Sequence, residues 1–260
     1  MAIEFAQKGI PLTQAAIDAA GARLGADVAS VWSLLAVETR GFGFLADRRP
    51  QILFERHIFH ARTQGRFSAG YPDLSAKAAG GYAGAAAEYG RLHRAMQLDR
   101  KAALESTSWG MGQVMGFNAV KLGYADVEDM VASFVVNEDQ QLEGTVRFIE
   151  REPALKQAFD AHVWARVAYY YNGESYAINE YDKKLAEHYA IYAAGHLPDI
   201  RLRAAQASLL YLGFDPHGVD GLIGKGTRTA LLNFQQARGL APTAELDEVT
   251  AQALLAGAFG

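Results

Sequence analysis

The sequence predicts a mainly α-helical (all-α) chain with two domains. Apolar residues recur at helical spacing over most of the first 195 residues, and strand-like alternation is nearly absent there. A glycine and a proline interrupt the helical pattern at residues 195–199, and three shorter helical patterns follow. We therefore expect one domain over residues 1–195 and a second, three-helix domain over residues 196–260. No internal repeat is evident in the sequence.

The composition excludes several classes of protein. The chain has 260 residues, of which 50% are hydrophobic and 21% charged, and its formal net charge of -4 gives no overall attraction to nucleic acid or anionic membranes. Because cysteine is absent, disulfides, thiol nucleophiles and Cys-ligated zinc are excluded. No apolar run approaches the roughly 18 residues of a membrane span. The first residues also lack the pattern of a signal peptide.

Helical patterns follow one another along the chain, separated by segments rich in glycine and proline. A loop at 41–51 has room for a short hairpin, and an extended surface loop is expected over 63–82. Helices are predicted over 12–24, 27–41, 83–103, 127–151, 154–171 and 178–193, and in the second domain over 200–212, 225–237 and 247–255.

Glu38 occupies an unfavourable place for a charge. It lies three and four residues after Leu35 and Leu34, on the apolar stripe of its helix, and Gly41 and Gly43 then end that helix. A carboxylate there must be paired or held protonated. Desolvation raises the pKa of a glutamate toward neutrality, where the side chain can act as a general acid. The alternative is a structural glutamate bonded to backbone amides or to an arginine.

Two further segments carry groups suited to a sugar ligand. In Ser108-Trp-Gly-Met-Gly-Gln113 the glycines let the backbone approach a ligand, and Trp109 offers a flat apolar face on which a sugar ring can stack. The segment Ala168-Tyr-Tyr-Tyr-Asn-Gly173 places a phenol and an amide at the end of a helix.

These segments, in this order, resemble the lysozyme-like superfamily, which includes goose-type lysozymes and soluble lytic transglycosylases. They are more similar to the N-acetylmuramidase domain of phage endolysins, through Glu-Thr-Arg-Gly-Phe-Gly-Phe, Leu-Phe-Glu-Arg-His-Ile-Phe and Ser-Trp-Gly-Met-Gly-Gln-Val-Met-Gly. The resemblance covers residues 10–193. It implies a lysozyme-like helical domain that hydrolyses the β-1,4 bond between N-acetylmuramic acid and N-acetylglucosamine without a cofactor.

The resemblance assigns the general-acid role to Glu38 and points to Glu55 as a second functional carboxylate. In glycoside hydrolysis one carboxyl group protonates the leaving oxygen, and the other activates water or stabilises an oxocarbenium-like transition state. A separation of about 6.5–9.5 Å indicates inversion and one of about 5–5.5 Å indicates retention, a distance that the sequence leaves open. The alternative for Glu55 is a salt bridge with Arg56 or Arg48.

Other polar residues of these segments are candidates for supporting roles. The resemblance matches Tyr171 to a tyrosine that can hydrogen-bond the acid or a substrate carbonyl; the alternative is core packing beside the neighbouring tyrosines. Gln113 and Asn172 are expected to bind the glycan or to position the acid. His57 and His60 are interpreted as structural because no His-Glu-x-x-His pattern is present, and no metal site is expected.

The second domain resembles the small three-helix peptidoglycan-binding domain. That family's pattern is Gly-x-x-Asp-Gly-x-x-Gly, then Thr, then Ala-apolar-x-x-Phe-Gln. Thr227 and Ala230–Gln235 match it, and Gly218–Gly224 matches with one residue fewer between the first glycine and the aspartate. The resemblance extends over residues 199–256 and suggests Asp220 and Thr227 as contacts with the cell wall.

Together the two resemblances imply an endolysin that causes host cell lysis, with bacterial peptidoglycan as its substrate and partner. A tethered wall-binding domain raises the local concentration of a catalytic domain on an insoluble substrate. We expect a monomer that accumulates in the host cytoplasm and depends on a holin to reach the periplasm and cell wall. Two alternatives remain: a lytic transglycosylase, which uses one glutamate and forms 1,6-anhydromuramic ends, and a non-catalytic wall-binding virion protein.

Overall fold

Helices dominate the structure, a computed structural model that describes residues 3–39 and 42–260, and the predicted mainly α-helical class is confirmed. The predicted helix end at Gly41 and the side chains of Glu38 and Asn172 lie outside the described parts. The described helices are α1 (Gln14–Leu24), α2 (Val28–Thr39), α3 (Arg56–Arg62), α4 (Glu88–Leu98), α5 (Arg100–Glu105), α6 (Val127–Phe134), α7 (Glu138–Arg151), α8 (Pro153–Asp160), α9 (Trp164–Asn172), α10 (Tyr181–Ala193), α11 (Ile200–Tyr211), α12 (Lys225–Ala237) and α13 (Glu248–Phe259). We call α1–α10 the N-terminal unit and α11–α13 the C-terminal unit.

The first two helices begin and end as their sequences predict. The Thr13 side chain accepts a hydrogen bond from the backbone of Ala16 at the start of α1, and Gly25 ends that helix in a left-handed conformation. Asp27 Oδ1 accepts a hydrogen bond from Ser30 N at 2.7 Å and caps α2. These local signals therefore set the position of the helix that carries Glu38.

Two of the longer predicted helices are broken by caps that the helical pattern concealed. Asp99 has an extended backbone and accepts a hydrogen bond from Ala102 N at 3.0 Å, so the helix predicted over 83–103 divides into α4 and α5. Asn137 likewise has an extended backbone and accepts a hydrogen bond from Gln140 N at 2.8 Å, so the helix predicted over 127–151 divides into α6 and α7. A short polar side chain that binds a backbone N–H three residues later competes with a continuous helix.

A small antiparallel sheet, which the sequence does not predict, lies in the N-terminal unit. Its strands β1 (Ile52–Phe54), β2 (Thr107–Trp109) and β3 (Val114–Met115) are adjacent in that order. Strands of two or three residues are too short to show a period of two. The sheet places the turn between β2 and β3, which carries the glycine-rich segment, next to the start of β1, where Gly110 N donates to Gln51 O at 2.8 Å.

The buried side chains form separate clusters. One surrounds α1, α2 and α7–α10, and another lies between the sheet and α3–α6. A third, built on Leu209, Leu231, Phe234 and Leu254, is the core of the C-terminal unit. In the described parts of the chain, no single helix is long and apolar enough to cross a membrane; only α1 with Val28–Val37, a pair bent by 109°, passes by length and composition.

The turn between α11 and α12 is organised by one side-chain amide. Gln206 Nε2 donates to Asp220 Oδ1 at 3.1 Å, to Leu222 O at 3.0 Å and to Thr227 Oγ1 at 3.1 Å. Gln206 Oε1 accepts from the backbone N of Asp220 at 3.0 Å and of Gly221 at 2.7 Å. The amide thus uses its donors and its acceptor to hold the turn.

The turn between α12 and α13 repeats this arrangement. Gln235 Nε2 donates to Thr243 Oγ1 at 3.1 Å, Glu245 O at 3.0 Å and Thr250 Oγ1 at 3.1 Å, and its Oε1 accepts from Ala244 N at 2.9 Å. The two turns are therefore alike in their hydrogen bonds, although no repeat is evident in the sequence. The two turns share only the glutamine, a threonine in the first turn of the next helix and a left-handed turn residue, which is too little identity to detect in the sequence.

Candidate active site

The loop that follows α2 packs directly against the turn between β2 and β3. Gly43 N donates to Glu138 Oε1 at 2.7 Å, and Gly43 O accepts from Gln51 N at 2.7 Å. A side chain on Gly43 would overlap the Gln141 amide and approach Met111 Cβ to 3.0 Å. The glycine after the Glu38 helix is thus required for a close approach of two backbone segments.

Gln113 holds the turn between β2 and β3. Its backbone is left-handed, with φ of 46°, and its Nε2 donates to Gly110 O at 2.8 Å and to Gln51 O at 3.3 Å. Its Oε1 accepts from Ser108 Oγ at 2.8 Å. Since these bonds engage both ends of the amide, the structure favours a positioning role for Gln113 over the predicted substrate contact.

Trp109 lies in the core, so the prediction that it stacks on a sugar ring is wrong. Its side chain is fully buried, and its indole N–H donates to Leu104 O at 3.2 Å. The register of β2 places Trp109 opposite Ile52, and the ring of Phe5 packs on it at 5.4 Å between centroids. The face that a tryptophan presents on such a short strand depends on pairing that the sequence does not reveal.

Tyr171 connects α9 to the same glycine-rich turn. Its hydroxyl donates to Gly112 O at 2.7 Å, and its ring contacts the edge of Phe148 at 5.4 Å. A side chain on Gly112 would overlap Thr145 and come within 3.0 Å of the Tyr171 hydroxyl. Loop 42–44, the turn and Tyr171 are therefore brought together.

Glu55 lies between the end of β1 and the start of α3, and its side chain is 15% exposed. Tyr82 donates its hydroxyl to both carboxylate oxygens, at 3.1 and 3.0 Å. His57 Nδ1 is 3.1 Å from Oε2 but lacks hydrogen-bond geometry. Burial, together with the charge and the hydrogen bond of Glu55, raises the pKa of Tyr82. The tyrosine hydroxyl therefore remains a donor at neutral pH.

The alternative partners of Glu55 are engaged elsewhere. Arg56 donates to Ala78 O and to Ala79 O, both at 2.9 Å, and holds the loop that carries Tyr82. Arg48 Nη2 donates to Ala258 O at 2.7 Å. Among the described residues, neither arginine forms the ion pair that would make Glu55 merely structural.

Sequence reasoning missed Glu88, a fully buried carboxylate that supports this arrangement. Its Oε1 accepts from the backbone N of Gly84 at 3.0 Å and from that of Ala83. Its Oε2 accepts from Phe54 N at 3.3 Å and from Arg91 Nη1 at 2.9 Å. Glu88 thus joins the loop that carries Tyr82 to strand β1, which Glu55 follows. The only sequence signal, a glutamate three residues before an arginine, is typical of an exposed helix face.

The predicted wall contacts of the C-terminal unit are mainly structural. Thr227 is buried beneath the turn and bonded to Gln206, so its prediction as a wall contact is wrong. Asp220 is half-buried and accepts from Leu222 N at 2.9 Å as well as from Gln206. The exposed part of this turn is instead an apolar pair, Leu222 and Ile223, each 47% exposed.

Of the two histidines interpreted as structural, His60 has a hydrogen-bond partner. His60 Nδ1 is hydrogen-bonded to Ser68 Oγ at 2.7 Å. Within the described residues, no group of three or more His, Cys, Asp or Glu side chains is arranged to hold a metal ion.

Comparison with known proteins gives matches over both units. Residues 27–193 match the N-acetylmuramidase family, and residues 200–254 match the peptidoglycan binding domain family. The crystal structure of the Burkholderia AP3 phage endolysin is similar, with 44% sequence identity and a TM-score of 0.66 over 70% of this chain and 71% of that chain. No curated protein matches the chain. The N-acetylmuramidase match contains all of the segments that converge in the candidate site.

Proposed function

The chain belongs to the N-acetylmuramidase family, and we propose that it is an endolysin that hydrolyses the β-1,4 bond between N-acetylmuramic acid and N-acetylglucosamine. The observation that carries this proposal is the convergence of the family's segments. The loop after the Glu38 helix, the glycine-rich turn and Tyr171 meet through Gly43 and Gly112. The remaining segment places Glu55 directly after strand β1, at the end of that strand opposite to the glycine-rich turn.

Glu38 is proposed as the general acid that protonates the glycosidic oxygen. Glu38 is the second-last residue of α2. Phe42 and Phe44, in the loop that follows, have buried side chains. This role requires a protonated carboxyl group, which the position of Glu38 on the apolar stripe of its sequence would favour. Tyr171 supports the site by holding the backbone of Gly112.

Glu55 is proposed as the second carboxylate, acting as base or as stabiliser of the oxocarbenium-like transition state. Each of its carboxylate oxygens accepts a hydrogen bond from the Tyr82 hydroxyl. An accepting carboxylate is suited to take a proton from water or to stabilise positive charge, whereas the general acid must donate. These roles divide the chemistry between the two glutamates.

Two substitutions and one product measurement test this proposal. We expect Glu38→Gln to lower turnover of purified peptidoglycan by about 10³-fold and Glu55→Gln by about 10²-fold, within the usual range for general acid–base groups. The exposed Glu187→Gln is the matched control and should behave as the wild type. Mass spectrometry of the products should show reducing muramic ends.

Other outcomes would favour the alternatives. Anhydromuramic ends, lighter by one water, with full activity of Glu55→Gln would indicate a lytic transglycosylase. Absence of lysis of permeabilised cells, with intact sedimentation on purified sacculi, would indicate a non-catalytic wall-binding protein.

The C-terminal unit is proposed to bind the wall as a separate domain, residues 196–260, of a monomeric protein. Its match to the peptidoglycan binding domain family supports this role. We further propose that the protein accumulates in the host cytoplasm and reaches the periplasm and wall through a holin. Expression with and without a holin tests that step, since lysis should require the holin.

A further inference from the structure

A buried ion pair joins the two units. Arg203, on α11, contacts Glu138, at the start of α7, through Nη1–Oε2 at 2.5 Å and Nη2–Oε1 at 2.7 Å. Both side chains are fully buried. Charges removed from water require well-formed partners, and loss of one leaves the other uncompensated. The contact therefore fixes the C-terminal unit to the N-terminal unit.

The same carboxylate holds the loop that follows the Glu38 helix. Glu138 Oε1 accepts from Gly43 N at 2.7 Å, and Oε2 accepts from Leu12 N at 2.8 Å. The Arg203 guanidinium also lies over the ring of Phe42, 5.5 Å from its centroid. A residue of the C-terminal unit thus supports the backbone beside the proposed acid from two directions.

Apolar contacts continue this junction. Phe42 and Phe44 form a buried cluster with Ala207 and Val219 of the C-terminal unit, and Tyr211 donates its hydroxyl to Gly9 O at 2.7 Å. A cleft of about 580 Å³ opens along the seam, lined from both units. The C-terminal unit is therefore docked against loop 42–44 and is not a freely moving tether.

We propose that Arg203 is a positioning residue for the muramidase reaction. By pairing with Glu138 it holds loop 42–44 against the glycine-rich turn, so that the C-terminal unit sets the rate of turnover as well as affinity for the wall. This inference rests on the proposed catalytic role of Glu38. A displacement of about 1 Å at a catalytic group, even from a distant change, can lower the rate by about 10²-fold.

The test uses the full chain and a soluble peptidoglycan glycan oligomer, whose cleavage needs no wall tether. We expect Arg203→Met to lower kcat on this oligomer by about 10- to 100-fold with KM changed less than threefold, measured below the unfolding transition. Arg203→Lys should recover part of kcat because it restores the charge. The matched control is Arg201→Met, since Arg201 pairs with Glu248 on the surface at 2.6 Å; its kcat should equal that of the wild type.

A double variant keeps the test decisive if Arg203→Met does not fold. Arg203→Met with Glu138→Met leaves no unpaired buried charge, and such replacements are often tolerated. It should fold and still turn over the oligomer slowly, because Gly43 N has lost its acceptor. The inference would be overturned if either folded variant had the wild-type kcat on the oligomer and lost activity only on sacculi. The C-terminal unit would then act only as a tether to the wall. Full activity of Glu38→Gln would instead overturn the proposed function, whatever Arg203 does.

Discussion

Two glycine-rich segments, 108–116 in the N-terminal unit and 218–224 in the C-terminal unit, are held in the same way. Gln113 holds the first from within its own turn, and Gln206 holds the second from the preceding helix. In each region a side chain expected to face a ligand is buried instead: Trp109 within the first segment and Thr227 just after the second. Motif residues of this kind maintain the backbone, and the ligand contacts must come from other groups.

The surroundings of the two segments differ. The first lies between Tyr171 and loop 42–44, the loop that follows the helix of the proposed acid. The second is bounded by α11 and α12 and exposes Leu222 and Ile223 at its tip. We therefore expect disruption of the first segment to reduce catalysis and disruption of the second to reduce stability or wall binding.

Among substitutions in the two segments, the largest effect is expected from Gly112→Ala. The added methyl group would overlap Thr145 and crowd the Tyr171 hydroxyl, which displaces the turn. We expect turnover to fall by about 10²-fold, with a loss of about 1–3 kcal/mol in the free energy of unfolding. The measurements are kcat on peptidoglycan and urea unfolding.

Gly90→Ala is the matched control, because a Cβ at this position in α4 meets nothing within 4 Å. A helical Gly→Ala change should raise the free energy of unfolding by about 0.5–1 kcal/mol and leave turnover unchanged. Wild-type turnover in Gly112→Ala would mean that the turn does not position the catalytic groups.

Trp109→Phe separates a core role from a sugar-binding role. It removes the hydrogen bond to Leu104 O and part of the buried volume. We expect a loss of about 1–3 kcal/mol in the free energy of unfolding, with KM for the soluble oligomer unchanged. A raised KM with unchanged unfolding would show that the sequence-based interpretation of Trp109 was right.

Trp109 also shows which parts of the fold the sequence can predict. Helices with long periodic patterns and caps, such as α1 and α2, are predicted because their signals lie within a few residues. The sheet is formed by strands from distant segments, and its register decides which way Trp109 points. Pairing of this kind leaves no mark on strands of two or three residues.

The buried carboxylates make the same point for the site. Glu88 lies three residues before an arginine, a spacing typical of an exposed helix face, yet both Glu88 and Glu138 are fully buried. They are stabilised by backbone N–H groups that come from distant segments, such as Leu12 and Gly43 for Glu138. By contrast, Gly43 and Gly112 were visible as motif glycines, and the structure shows the close approaches that require them.

In the C-terminal unit, two substitutions separate structure from binding. Thr227→Val removes the acceptor for Gln206 in a buried site, and we expect a loss of about 1–2 kcal/mol in the free energy of unfolding without weaker sedimentation on sacculi. Ile223→Ser changes an exposed residue, so we expect unfolding within about 0.5 kcal/mol of the wild type but weaker sedimentation. The reverse pattern would restore Thr227 as a wall contact.

The smallest effect is expected at the helix caps, where the two units are alike. Asp27 caps α2 and Asp247 caps α13. Partial burial alone would raise the pKa of Asp27, but hydrogen bonds from Ser30 and Tyr189 outweigh it and lower the pKa. The backbone hydrogen bond from Thr250 is the main cause that lowers the pKa of Asp247.

A carboxyl group whose pKa is lowered on folding contributes stability above its unfolded pKa of about 3.9 and loses that contribution as the pH falls through the folded pKa. At this exposed position, Asp27→Ala should lower the free energy of unfolding at pH 7 by about 0.5–1 kcal/mol. Urea unfolding at pH 7 and pH 3 should show the difference from the wild type shrinking in acid. A difference that stays constant with pH would mean that the side chain stabilises α2 without its charge.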